Sequence, residues 1–168
     1  IKKFSVSLFE SQQLVKVVFM ENYLTSGWMD YATCGTSKVG GFAKPKALYC
    51  NATEYNQKSE KFRVSYLVHE AQHYADYKKF KNLDSFALEY RAKLAEIIAS
   101  RRTTRKLISL FQSQSSKKRH SYHSYAAHKI IENLGSSVKM ESIIIRKKAE
   151  LLLLSDSENR KRTGFKSL

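Results

Sequence analysis

The apolar positions change rhythm along this chain. Between Ser11 and Tyr23, Leu14, Val15, Val18 and Phe19 fall on one face of a 3.6-residue period, which predicts a helix. From Trp28 to Tyr55 the period is lost. Short β-prone runs are punctuated there by Gly40-Gly41 and Lys44-Pro45-Lys46, and they predict strands over 28–33, 41–43 and 47–51.

From Ser59 onward the pattern is helical. Residues 62–80 place Val64, Leu67, Val68, Ala71 and Ala75 on one broad apolar face. Asn82 and Asp84 are N-cap candidates for a second, long helix from Ser85 to about Gln112, with Phe86, Leu94, Ile97, Leu107, Ile108 and Phe111 in its apolar set. After a polar break, a third helix is predicted over Tyr122 to Leu134, stopping at Gly135, and a fourth over Ser137 to Leu154. Strands first and helices afterwards indicate an α+β fold: one domain over 1–154, with a small N-terminal antiparallel sheet and a mostly helical C-terminal part. Residues 155–168 read as a basic, flexible tail.

With 168 residues, 42% of them hydrophobic, the chain has enough apolar surface for one real core. Its longest aliphatic runs, Ile143 to Ile145 and Leu151 to Leu154, are too short to span a bilayer. The chain begins at Ile1, as a processed product does, which leaves both cytoplasmic and exported locations open. The net charge is +15. It favours anionic partners, among them acidic peptides, nucleic acid and anionic polymers. The densest basic stretches, Arg101 to Arg119 and Arg160 to Lys166, read first as solvated surface. Cys34 and Cys50 flank the Gly40-Gly41 turn and face each other only if a hairpin forms there.

Candidate chemistry concentrates at His69-Glu70-Ala71-Gln72-His73. Residues i and i+4 of a helix share a face, so His69 and His73 can both reach one Zn2+ ion. Glu70 is then placed to serve as general base toward a water that the metal acidifies. The chain's His and Glu content makes this pattern a chance event at a frequency of about 0.01. A third ligand is sought on the next helix. Glu89 is the leading candidate; Glu96, on the same face, reads as a supporting or ion-pairing group. Asp76 and Asp84 are weaker ligand candidates, and Asp76 is also a candidate to orient a histidine.

His69-Glu70-x-x-His73 followed by Glu89-x-x-Ala92 resembles the gluzincin branch of the zincin metallopeptidases. The resemblance covers roughly residues 40–98, and the spacing from His73 to Glu89 is a little shorter than in thermolysin-like members. It implies a zincin-like fold, a Zn2+ cofactor held by His69, His73 and Glu89, and peptide hydrolysis with Glu70 as base. It also implies an edge strand, at 40–43 or 47–49, that pairs with an extended peptide or protein substrate. An oxyanion donor is expected downstream, with His123 the first choice and Tyr125 and His128 behind it, in a cluster that includes His120 and Tyr122. Three other readings remain: a basic module that binds polyanions or nucleic acid, a zincin-fold scaffold or inhibitor without activity, and a metal-dependent hydrolase of something other than peptide. The intact Glu70 argues against the second.

Overall fold

The computed structural model describes residues 1–21 and 40–163. It combines a four-stranded sheet at the N-terminal end with a mostly helical remainder. The strands are β1 (Lys2–Ser7), β2 (Gln12–Met20), β3 (Gly41–Lys44) and β4 (Ala47–Asn51), in the order β1-β2-β4-β3. β1 and β2 are antiparallel, as are β3 and β4, but β2 and β4 run parallel, so the sheet is mixed and not antiparallel throughout. Among the described residues β3 is an edge, whereas β4 is paired on both sides.

β2 overturns the helix expected over Ser11 to Tyr23. Its inner residues, Val15 and Val17, alternate with exposed Leu14 and Lys16. This is a period of two, and β-branched Val favours a pleated, half-buried surface. The tight connection from β1, closed by Leu8 N–H donating to Ser11 C=O at 2.8 Å, brings β1 alongside. The strand expected over 28–33 and the residue Cys34 lie outside the described residues. Cys50, on β4, is fully buried.

Residues 60–79 form one continuous helical rod, α1. It opens with Glu60–Phe62, capped by Ser59, whose hydroxyl accepts from Phe62 N–H. It then passes through a π-helical stretch, Arg63–Val68, and continues as regular helix over His69–Lys79. π-helical turns gather at functional sites, and this one ends directly before His69. Asn82, at φ 62°, turns the chain back. Asp84 is the N-cap of α2 (Ser85–Ala99), accepting from Ala87 N–H at 2.7 Å.

The single helix expected from Ser85 to Gln112 is two. Ser100 is extended, and α3 (Thr104–Gln114) begins afresh. Glu60 supplies the reason: its carboxylate accepts the backbone N–H groups of Arg101 and Arg102, so a residue distant in sequence satisfies the break. α4 spans Tyr122–Leu134 and stops at Gly135, at φ 55°. After a 3-10 turn over Gly135–Lys139, α5 runs over Ser142–Arg162. The helix therefore starts later than expected and continues well past Leu154. Residues 155–162 are helical because Asp156, Ser157 and Arg160 find buried partners.

Two apolar cores meet at α1 and α2. One joins the sheet to α1 through Val15, Val17, Leu48, Phe62, Tyr66 and Ala71. The other joins α2 to α3, α4 and α5 through Leu94, Ile97, Phe111, Ile130, Ile145 and Leu153. Each such side chain contributes about 1.5–3 kcal/mol when fully buried. α1 and α2 are thus clamped from both sides, which fixes their mutual position.

Candidate metal centre

His69 and His73 sit one turn apart on α1, with rings edge to face at 4.7 Å and their Nε2 atoms 3.1 Å apart. α2 folds back beside them and carries Glu89 into the gap. Glu89 Oε2 is 3.6 Å from His69 Nε2, and Glu89 Oε1 is 3.4 Å from His73 Nε2. Tetrahedral zinc with bonds of 2.0–2.1 Å separates its ligands by about 3.3 Å. The three donors converge at that spacing, so these residues fit a zinc-sized cation. Ala92, one turn beyond Glu89, is fully buried and small where the helix packs.

Glu96 supports the first histidine. Its Oε1 lies 2.8 Å from His69 Nδ1. With Nδ1–H donating there, the Nε2 lone pair of His69 is left facing Glu89, the arrangement in which carboxylates orient metal-binding histidines. His73 Nδ1 is buried with no hydrogen-bond partner among the described residues. Asp76 does not orient it, contrary to expectation: its carboxylate accepts from Arg91 Nε at 2.9 Å and Gln72 Nε2 at 3.0 Å.

The charges are mutually adjusted. Burial opposes ionisation of His69, but Glu96, Glu89 and Glu70 outweigh it and raise its pKa. Burial likewise opposes charge on Glu89, yet His123, His73 and His69 hold its carboxyl far below the usual carboxylate range. Glu70, 8% exposed, moves the other way: burial, with Glu89 and Glu96 adding, lifts its pKa. A carboxylate so shifted holds a proton more readily than a free one, as a general base must.

Of the downstream cluster, only His123 reaches the centre. Its Nδ1 comes within 2.8 Å of Glu89 Oε2, although its side chain is 71% exposed. The approach lacks hydrogen-bond alignment, so Glu89 Oε2 has no aligned donor among the described residues. His120 and Tyr122 are exposed, Tyr125 packs on Phe86, and His128 Nδ1 meets Ser115 Oγ at 3.2 Å. Asp84 is occupied as the N-cap of α2.

Tyr77 was not anticipated. Its ring centre lies 6.5 Å from that of His73, and burial, Glu70 and Glu89 raise its pKa. The spacing of four that links His69 to His73 repeats from His73 to Tyr77 and was the available signal. No family model, no curated protein and no solved structure matches this chain.

Proposed function

We propose that this chain is a zinc-dependent hydrolase of the zincin type that cleaves peptide bonds. The observation that carries the reading is the convergence of His69 Nε2, His73 Nε2 and a Glu89 oxygen, with Glu70 buried next to the first of them. His69, His73 and Glu89 bind the ion, and Glu96 holds His69 in the ligating tautomer. A bound zinc ion supplies Lewis acidity, acidifying water and polarising a carbonyl oxygen. Glu70 takes the proton of the attacking water and later delivers it to the departing amine. His123, exposed at the mouth, donates an N–H to the carbonyl oxygen as that oxygen gains charge.

The open edge of β3 supports a peptide substrate. Among the described residues β3 is the edge of the sheet, and an edge strand can hold an extended segment by adding a strand. The +15 charge favours acidic peptides among these.

The test is elemental analysis of the purified chain beside Glu70→Gln and His73→Ala, followed by a peptide-library digest. The expected result is one zinc per chain in the wild type and in Glu70→Gln, none in His73→Ala, and cleavage by the wild type alone. His123→Phe keeps its zinc and loses turnover. A wild type that stays zinc-free after reconstitution overturns the reading. Zinc without peptide cleavage removes the peptidase assignment and keeps the metal site.

A further inference from the structure

Away from the metal centre, α2, α4 and α5 enclose a hollow of about 360 Å³, within the size range of small-molecule sites. Part of its wall is apolar and aromatic. Phe86 on α2 and Tyr125 on α4 lie with ring centres 4.9 Å apart, and Leu152 closes the α5 side.

Three cations line the same hollow: Arg119 from the segment before α4, Lys129 from α4 and Arg160 from α5. The two basic stretches that read as mere surface in the sequence are thus partly folded around one cavity. Asp156 is the acid that lines it, and its charge is already answered. Its carboxylate accepts from Arg160 Nε at 2.7 Å, Arg160 Nη2 at 2.9 Å and Arg91 Nη1 at 2.7 Å. Lys129 meets Glu132 at 2.5 Å, an exposed pair that solvent screens and a ligand can displace.

Arg160 forms part of the wall. It is 3% exposed, and its Nη1 has no hydrogen-bond partner among the described residues. Nη1 of a guanidinium carries two N–H donors, and leaving charged donors buried and unanswered is costly. A negative charge held in the hollow offsets part of that cost through space.

We infer that this hollow binds a small anion, a carboxylate or a phosphate monoester, carried on a flat apolar group. The anion's oxygens accept from Arg119 and Lys129 at the rim, with the Arg160 guanidinium adding charge from the wall, while the flat group lies against Phe86, Tyr125 and Leu152. Arg suits such oxygens because its planar fork of donors matches them. The site needs no metal and stands whether or not the zinc reading does.

Calorimetric titration of the purified full chain with phenyl phosphate, benzoate and inorganic phosphate tests it. The expected result is saturation at one phenyl phosphate or one benzoate per chain; the tighter of the two identifies the anion. Inorganic phosphate binds at least about tenfold more weakly, since it lacks the flat group. The double variant Arg119→Gln/Lys129→Gln, altered at the rim and away from the Arg160–Asp156 pair, weakens binding by about tenfold. Excess acetohydroxamate, a zinc-chelating probe, leaves binding unchanged. The inference is overturned by absence of saturable binding, by equal affinity for inorganic phosphate, by an unaffected double variant, or by displacement with acetohydroxamate, which would put the anion on the metal.

Discussion

Arg91 Nε donates to Asp76 Oδ2 at 2.9 Å, and neither side chain has any exposed surface. Asp76 stands three residues after His73 on α1, and Arg91 two residues after Glu89 on α2. The pair therefore bolts together the two helices that carry His69, His73 and Glu89. It extends outward: Arg91 Nη2 reaches Glu10 in the β1–β2 connection at 2.7 Å, and Arg91 Nη1 reaches Asp156 on α5 at 2.7 Å. Lys79 and Arg160 complete the set, so three carboxylates face three cations. Buried charges persist only when paired this fully.

Removing the centre of that network leaves buried Asp76 with only the neutral Gln72 amide and takes one cation each from Glu10 and Asp156. Arg91→Ala is expected to lower unfolding free energy by about 3–5 kcal/mol, read from urea unfolding midpoints. In a double-mutant cycle with Asp76→Ala the two changes couple by more than about 1 kcal/mol. Additive losses would show that the pair does not act as a unit.

Glu96 and Glu89 separate by metal affinity. Glu96→Ala removes the acceptor that orients His69 and is expected to weaken zinc about 10- to 100-fold in chelator competition. Glu89→Ala removes a donor of the triangle itself and weakens zinc further. The opposite order would exchange their roles.

Glu60 gives a pH signature. Burial acts to raise its pKa, but the N–H groups of Arg101 and Arg102 and the charges of Arg63 and Arg102 together outweigh it and leave the folded pKa below the usual 4.5 of a glutamate. A depressed carboxyl contributes stability that is present above its unfolded pKa and is lost as pH falls through the folded value. The melting-temperature gap between wild type and Glu60→Gln is therefore widest above pH 4.5 and narrows below it. A gap that does not change with pH would remove charge from the account.

Several elements were legible because they depend on neighbours in sequence. His69 and His73 share a face through helical spacing alone, and Gly135 ends α4 where a left-handed residue is wanted. Glu89 was found from the order of the elements, since a short turn after Lys79 returns the next helix beside the first. β2 was misread because Val15 and Phe19 stand four apart, as on one helix face, and also alternate with Val17 as on one strand face, over so short a run. Pairing with β1 and β4 decided between them. The split between α2 and α3 was invisible for a similar reason: Glu60, some forty residues upstream, satisfies the freed N–H groups.

By itself the sequence determined the shared helical face of His69 and His73, the helical character of the chain after Ser59 and the positions of α1, α4 and the N-cap of α2, all of which follow from local spacing and capping chemistry. Only the tertiary structure decided the mixed sheet with β3 at its edge, the partner of each buried carboxylate, the arrival of His123 at Glu89, and the gathering of Arg119, Lys129 and Arg160 around one hollow. The physical reason is that charges and sheet edges are satisfied by whatever lies nearest in space, and that is set by how the two cores pack α1 and α2 between them.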